Sequence, residues 1–283
     1  MKEYICRKHL INPLRVTIGI MLYVIGLFIV FSTISYLSVN ASEKADVFIT
    51  YGIILAISIV ILSIVFVILY NTKLKKYKPL SIAIGKDNLI YKSVKGTSII
   101  SYEDITGLEF AAMKYSKGWI KIRCKTEIIK LDVSIKDMGI FIRDLKEKLD
   151  GRGLSNIYNE KRMYNYYITA SYSDNSWERI YDMAHVIPPT VTVNVIVAFI
   201  FSFLVYERPI KLIVAGLLFI FPIIVIISAE MILAIKHILV CKEEEEFIVI
   251  KRDKEYDGKI YKLVLFVCSI ILIGLLSYFL SKF

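Results

Sequence analysis

The stretch SIAIGKDNLIYKSVKGTSIISYEDITGLEF, from Ser81 to Phe110, decides the interpretation of this chain, because it alternates apolar and polar residues directly after two long apolar runs. Alternation with a period of about two residues is typical of strands that have one face on a core. The alternation is interrupted by Gly85-Lys86-Asp87-Asn88 and by Lys95-Gly96, whose residues favour turns. The stretch therefore predicts a meander of antiparallel strands.

The same pattern continues to residue 131 and is followed by a helical one. Strands are predicted near 80–85, 89–93, 97–101, 106–113, 118–124 and 126–131, and no strand is predicted before Ser81. Ser134 and Asp137 supply a helix start, and Gly151 supplies a helix end. Between them Ile140, Phe141, Leu145 and Leu149 fall on one stripe, which predicts an amphipathic helix.

Many short strands followed by one amphipathic helix is the order of a pleckstrin-homology-like (PH-like) domain. The segments DNLIYKS, SYEDITGLEF and FIRDLKEKL resemble those of PH-like domains found in bacterial membrane proteins. The resemblance covers residues 80–150. It implies a β-barrel or sheet capped by a C-terminal helix, and it implies no activity, since a fold does not fix a ligand.

Composition indicates an integral membrane protein. The chain has 283 residues, of which 56% are hydrophobic, and a net charge of +10. A bilayer core about 30 Å thick requires roughly 20 apolar residues in a helix. Uncharged runs of that length predict five spans, at 16–39, 47–70, 186–206, 210–235 and 260–280. The first is too long for the apolar part of a signal peptide and is predicted to be retained.

Lys and Arg near the span ends predict the orientation, because basic residues resist translocation. They cluster before the first span and in NTKLKKYK after the second, which places the N-terminus and the region 71–185 in the cytoplasm and the C-terminus outside. The predicted domains are an N-terminal segment with a hairpin (1–79), a cytoplasmic PH-like domain (80–150), an aromatic-rich interfacial connector (151–185) and a C-terminal transmembrane region (186–283). The predicted fold class is thus an α+β plasma membrane protein with about five transmembrane helices.

Basic residues on the predicted strands form a candidate surface for anionic lipid or for a partner. They are Lys92, Lys95, Lys114, Lys117, Lys121, Arg123 and Lys125. Lipid headgroups would attract each well-placed cation by roughly 1 kcal/mol. The simpler interpretation is that these are solvated strand faces, and it is the favoured one.

The connector is rich in tyrosine and predicts a helix beginning near Asn175, with Trp177, Ile180, Tyr181 and Ala184 on one face. Trp177 and Tyr181 are the candidate interfacial anchors, because Trp and Tyr prefer the headgroup region. An aromatic ligand cage is the less favoured alternative.

Glu230 is the acidic residue placed deepest within a predicted span. A carboxylate inside a membrane costs a few kcal/mol, which makes a substrate or ion site one hypothesis. Local pairing close to the interface is an equal alternative. Pro222 lies earlier in the same span and predicts a kink.

Metal, cofactor and enzyme signatures give no positive prediction. The four cysteines and three histidines lack metal-site spacing, and phosphate-binding, zinc-protease, nucleophile-elbow and dinucleotide motifs are missing from the sequence. The acidic run Lys242–Glu246 is interpreted as solvated charge, with cation or partner binding as the alternative.

The sequence therefore predicts a non-enzymatic membrane protein without a cofactor, serving as a scaffold or regulatory subunit. Its predicted partners are the lipid bilayer, anionic lipid, and another protein or a second copy of the chain, but not nucleic acid. The alternative is a transporter or export/immunity component with a polar site near Glu230.

Overall fold

The computed structural model describes residues 1–113, 117–183, 187–204, 207–244, 247–248 and 252–282. The chain forms two compact units. The strand unit consists of Met1–Pro13, Leu69–Ile180 and Ala234–Arg252, and the helix unit consists of Leu14–Ile68, Tyr181–Leu233 and Asp253–Phe283. The predicted domain 80–150 is thus part of a larger unit, which also takes in N-terminal residues, most of the connector and the link after residue 233.

The predicted meander is present as two antiparallel sheets, with strand bounds close to the predicted ones. The strands are β1 (Lys2–Ile5), β2 (Ser81–Ile84), β3 (Asn88–Ser93), β4 (Gly96–Ser101), β5 (Ile105–Met113), β6 (Lys117–Cys124) and β7 (Ile128–Asp132). The first sheet has the order β1-β2-β3-β4 and the second has the order β5-β6-β7. Together with the helices, this makes an α+β protein.

The prediction of no strand before Ser81 is wrong. Strand β1 pairs antiparallel with β2, from Lys2 opposite Ile84 to Ile5 opposite Ser81. Backbone hydrogen bonds then continue to the segment after β7, where the Arg7 amide donates to the Ser134 carbonyl at 2.9 Å. The strand is short, and its partner lies far along the chain, so local periodicity gave no signal for it.

The amphipathic helix is α4 (Met138–Asp150), and its predicted start at Ser134 is wrong. The helix begins after Asp137, whose φ of 58° places it in the left-handed region and whose side chain makes no capping hydrogen bond. The inward stripe of α4 includes Phe141 and Leu145, both fully buried in the core that the inner faces of the strands also form. Tyr4 of β1 joins this core, with its ring centroid 5.2 Å from that of Phe141.

The connector forms helix α5 (Glu160–Met183), which begins well before the predicted start at Asn175. Tyr166 and Tyr167 are almost completely buried in the strand-unit core, and Tyr172 is buried too. These three tyrosines were not among the predicted anchors, and although they belong to the connector that was predicted to be interfacial, they are buried. Their spacing along α5 places aromatic rings on the face that packs against the core.

The remaining helices are long and apolar. They are α2 (Pro13–Leu37), α3 (Lys44–Thr72), α6 (Ile187–Leu204), α7 (Arg208–Glu244) and α8 (Lys254–Lys282), and a short helix α1 (Lys8–Ile11) precedes them. Among the described residues, four helices are long and apolar enough to cross a membrane, namely Pro13–Leu37, Ala41–Lys76, Pro209–Cys241 and Lys254–Lys282. They correspond to four of the five predicted spans. The fifth, 186–206, contains α6, but its two ends lie outside the described residues.

Two apolar clusters hold the helix unit together. In one, α2, α6 and α7 pack around Ile34, Phe201 and Val214. In the other, α7 and α8 pack around Val225 and Val264. By contrast, no residue is buried in the most apolar window of α3, so its side chains lie on the outside of the unit.

Candidate functional site

A cleft of about 1140 Å³ opens in the strand unit between α4, the first half of α5 and residues 247–248. We call it the α4–α5 cleft. Its charged lining residues are Arg143, Lys146 and Lys161, which are cations, and Glu147, Asp150 and Glu160, which are anions. The two signs are equal in number, so the described lining is close to neutral overall.

Lys146 links the end of α4 to the start of α5. Its ammonium lies 2.6 Å from the Asp150 carboxylate and 3.1 Å from that of Glu160. Burial lowers the pKa of Lys146, and the hydrogen bonds to these two carboxylates raise it. Together with the nearby negative charges the hydrogen bonds outweigh burial, so the pKa lies above its ordinary value. Asp150 also accepts a hydrogen bond from Tyr158. Lys146 is therefore charged and fixed.

The apolar wall of the cleft centres on Phe247. Its ring centroid lies 5.2 Å from that of Tyr164 and 5.0 Å from that of Tyr167. The same two tyrosines donate hydrogen bonds to backbone carbonyls, Tyr164 to Cys241 and Tyr167 to Ile248. The end of α7, at Cys241, and Ile248 in the link that follows it are thereby attached to α5. The sequence did not predict this site, because it depends on contacts between distant segments.

Most of the predicted basic surface is paired with acidic neighbours. The pairs are Lys92 with Glu3 (2.9 Å), Lys125 with Asp104 (2.7 Å), and Lys121 (3.7 Å) and Arg123 with Glu109. Such exposed pairs contribute about 0–1 kcal/mol to stability, but each cancels a positive charge that would otherwise attract an anion. The structure therefore favours the solvated-face interpretation for these four residues.

For the other three residues of the predicted basic surface, the described part of the chain shows no ion pair that would decide between the two interpretations. The side chain of Lys117 and the whole of Lys114 lie outside the described residues. Lys95 occupies the β3–β4 turn, where its amide hydrogen-bonds to the Ser93 hydroxyl at 3.2 Å.

Trp119 lies between two cations on the outward face of β6 and β7. Lys121 and Lys130 place their ammonium groups 4.8 Å and 5.2 Å from its ring centroid. The register sets Lys121 opposite Lys130, so the two strands carry them side by side. Lys130 was not among the predicted residues, and cross-strand pairing was the missing information.

Arg7 ties the N-terminal segment to α5 through a buried ion pair. Its guanidinium lies 2.7 Å from the Asp174 carboxylate and also donates to the Val133 carbonyl at 2.8 Å. The second oxygen of Asp174 accepts from the Gly139 amide at 3.0 Å. Burial raises the pKa of Asp174 to about 6, and the Arg7 charge acts in the opposite direction. Arg7 is thus a structural residue of the strand unit. It is also one of the basic residues before the first span from which the orientation was predicted.

Of the two candidate anchors, Trp177 stacks on His9, with ring centroids 4.0 Å apart and planes inclined by 21°. Burial, followed by the nearby Arg7 charge, lowers the pKa of His9 to about 4. Tyr181 belongs to the helix unit and is 39% exposed. Interfacial anchoring by these two residues stays a prediction.

Glu230 has a partner within the helix unit. The hydroxyl of Tyr261 on α8 donates to its carboxylate at 2.8 Å, and Tyr261 is itself buried in the cluster that α7 and α8 share. This contact fits the interpretation of local pairing.

Pro222 explains the hydrogen bond of buried Asn194 in the helix unit. A proline has no amide hydrogen and so leaves the carbonyl four residues earlier, that of Leu218, without its helical partner. The side-chain amide of Asn194 donates to that carbonyl at 2.8 Å, and the Tyr23 hydroxyl donates to the next carbonyl, that of Phe219. Asn194 of α6 thus replaces the helical hydrogen bond that the proline removes, and Tyr23 of α2 adds a hydrogen bond one residue further on.

In the part of the chain that the structure describes, no group of three or more His, Cys, Asp or Glu side chains is arranged so that it could hold a metal ion. The side chains of the acidic run 242–246 lie outside that part, so its interpretation as solvated charge stays a prediction. Comparison of the chain with protein-family models, with curated proteins and with solved structures gives no match.

Proposed function

We propose that this chain is a non-enzymatic integral membrane protein that serves as a scaffold or regulatory subunit, whose strand unit binds a protein partner or the inner leaflet. The observation that carries the proposal is the way in which separate chain segments combine to form the strand unit. Three chain segments, Met1–Pro13, Leu69–Ile180 and Ala234–Arg252, fold into one body between stretches of apolar helix. A body anchored by the chain at each of these boundaries is held near the bilayer, where weak contacts are sufficient for binding.

The proposal includes a PH-like fold for the strand unit. Its support is the order of elements, a four-stranded sheet, a three-stranded sheet and then α4 packed on their inner faces. Strand β1 completes the first sheet and hydrogen-bonds onward to the segment after β7.

The membrane part of the proposal is a multi-pass plasma membrane protein with five spans. Its support is the four long apolar helices together with α6. The distribution of Lys and Arg supports a cytoplasmic strand unit and a C-terminus on the other side.

The experiment that tests the proposal is cross-linking in the native membrane followed by purification of the full-length chain. Two variants reverse charges on the strand unit, Lys121→Glu with Lys130→Glu, and Glu147→Lys with Lys161→Glu. The matched control, Lys121→Arg with Lys130→Arg, keeps the charge. A partner or an anionic lipid that is reduced in either charge-reversed variant and retained in the control supports the proposal.

The alternative of transport by the helix unit rests on Glu230 and is tested by Glu230→Gln in the same experiment. The scaffold proposal fails if no strand-unit substitution alters the cross-links, while a Glu230→Gln chain no longer restores the growth of cells that lack the wild-type protein. Transport is the weaker candidate, because Tyr261 already satisfies the carboxylate with a hydrogen bond.

A further inference from the structure

We propose that the α4–α5 cleft is the docking site for a peptide segment of a partner protein, one that carries an apolar side chain between an acidic and a basic residue. The inference rests on the proposed function, since it names the place and the chemistry of partner binding. It commits to protein, whereas the proposed function includes the inner leaflet as an alternative.

The size of the cleft favours a peptide. Pockets for small molecules usually enclose about 300–1,000 Å³ and bury most of the ligand. The α4–α5 cleft has about 1140 Å³ and opens along two helices, α4 and α5, rather than enclosing a compact space. An elongated ligand that lies along α4 and α5 can contact both helices over more of this open cleft than a compact one can.

The charges of the lining favour a ligand of mixed charge. A polyanion such as a phosphorylated headgroup would meet the carboxylates of Glu147, Asp150 and Glu160, and a polycation would meet the three basic residues. Like charges placed together at an interface are unfavourable and exclude wrong partners. A segment with one charge of each sign can pair with both helices.

Two charged groups of the cleft are available for such pairing. Lys146, Asp150 and Glu160 already pair with one another. Glu147 on α4 and Lys161 on α5 are exposed, and within the described residues neither side chain makes a hydrogen bond or an ion pair. They have opposite signs and lie on different walls, which sets the direction in which a charged segment would bind.

The apolar wall of the cleft, centred on Phe247, provides the third contact. The rings of Tyr164 and Phe247 lie beside Ile168 and the 40% exposed side chain of Ile248. Aromatic residues in a desolvated centre commonly supply most of the binding free energy at protein interfaces. An aliphatic or aromatic side chain of the partner would be placed there, between the two ion pairs.

The test uses the full-length chain in lipid nanodiscs and a phage-displayed library of random peptides as the probe. Peptides selected on the wild-type chain are synthesised, and their affinities are measured by fluorescence anisotropy. The cleft variant combines Glu147→Lys with Lys161→Glu. The matched control combines Glu178→Lys with Lys86→Glu, two exposed residues outside the cleft lining, and makes the same change of charges.

The expected result is a selected motif with an apolar residue between opposite charges, which binds the cleft variant roughly tenfold more weakly or worse and the control unchanged. Peptides whose charges are exchanged should regain affinity for the cleft variant. Tryptophan fluorescence confirms that each variant is folded.

The inference is overturned if no peptide is enriched, or if the enriched peptides bind wild type and cleft variant equally. It is also overturned if phosphatidylserine vesicles, and not peptides, lose binding in the cleft variant. Each of these three results leaves the proposed function standing when the cross-linking experiment still finds a partner on the strand unit. Failure of the inference and failure of the proposed function are therefore distinguishable.

Discussion

One buried polar contact of the strand unit differs in kind from those that surround Pro222 in the helix unit. The strand unit buries a charged pair, Arg7 with Asp174, and supports it with hydrogen bonds to backbone groups. The helix unit instead uses neutral donors, with Asn194 and Tyr23 bonded to carbonyls of α7. Ser35 and Tyr51, whose hydroxyls lie 2.8 Å apart, join α2 to α3 in the same way.

In the proposed membrane protein, water surrounds the strand unit and lipid surrounds the helix unit, and we expect the difference to follow from these surroundings. Arg7 and Asp174 are hydrated before folding, so the pair must recover a large desolvation cost and needs all of its partners. In a helix surrounded by lipid, a carbonyl freed by a proline has no water to bond, and a neutral side chain from a neighbouring helix is the least costly substitute. Loss of one partner should therefore be more damaging in the strand unit than in the helix unit.

The largest effect is expected from Arg7→Met, which leaves the Asp174 carboxylate buried without its cation. The free energy of unfolding of the strand unit should fall by about 3–5 kcal/mol. Urea titration in detergent, followed by tryptophan fluorescence, measures it, because Trp119 and Trp177 both belong to the strand unit and the sequence has two tryptophans. In the double variant Arg7→Met with Asp174→Leu the loss should be much smaller, and equal losses would contradict the ion-pair explanation.

The same variant has a predicted pH dependence. Burial already raises the pKa of Asp174 to about 6, and removal of the Arg7 charge raises that pKa further. Since the folded state then binds the proton more tightly than the unfolded state, stability is highest at low pH and falls as the pH rises through the folded pKa. The cost of Arg7→Met should therefore be smaller at pH 5 than at pH 8. An equal cost at both would show that the carboxylate is not responsible.

The next largest effect is expected from Gly139→Ala at the contact of α4 with α5. A Cβ atom at this position would lie 2.3 Å from the Ser171 hydroxyl and 3.0 Å from the Ser171 Cα, so the helices must separate. The loss should be about 1–3 kcal/mol in the same fluorescence assay. The matched control in the helix unit is Gly52→Ala on α3, where nothing lies within 4 Å, and its effect should stay within about 0.5 kcal/mol.

A smaller effect is expected from Asn194→Leu, which removes the donor to the carbonyl that Pro222 frees. Single hydrogen bonds between membrane helices contribute about 0.6 kcal/mol on average and about 1.7 kcal/mol at most. In the background of Pro222→Ala the helical bond is restored, so Asn194→Leu should cost less there. Unfolding by sodium dodecyl sulfate, followed by circular dichroism, gives the double-mutant cycle. If the effects of the two substitutions are additive, the Asn194 hydrogen bond does not compensate for the bond that Pro222 removes.

The smallest effect concerns the stacking of His9 on Trp177. Its pKa is lowered to about 4 by burial and by Arg7, so in a Trp119→Phe chain the Trp177 fluorescence should titrate near pH 4 instead of near 6.5. Because the unfolded state binds this proton more tightly, stability is lost as the pH falls from about 6.5 towards 4. His9→Gln should make stability in that range less dependent on pH, and a midpoint near 6.5 would show that the stack is open.

Local periodicity was sufficient to predict much of this fold. The strands from Ser81 to Asp132 and the stripe of α4 have short-range patterns, and they lie close to the predicted bounds. The same holds for the long apolar helices, because a helix long and apolar enough to cross a bilayer is recognised from its length and composition alone.

The features that were missed depend on distant segments. The pairing of β1 with β2 joins residues separated by the whole α2–α3 hairpin, and a strand of four residues has no periodicity to identify it. The tyrosines of α5 were assigned to the interface because composition alone does not distinguish an anchor from a core residue. The α4–α5 cleft needs the link after α7 as a wall, and no local pattern connects Phe247 with Tyr164.

Strand β1 has a consequence for the biogenesis of the protein. It is synthesised before its partner β2, which follows only after the complete α2–α3 hairpin. If the hairpin crosses a membrane, as the proposed function has it, the two strands can meet only when both ends of the hairpin lie on the same side of the bilayer. A chain whose hairpin fails to turn back would keep Tyr4 and Arg7 from their places and expose an unfinished sheet edge, which quality-control proteases can recognise. Correct insertion and completion of the sheet are in this way a single event.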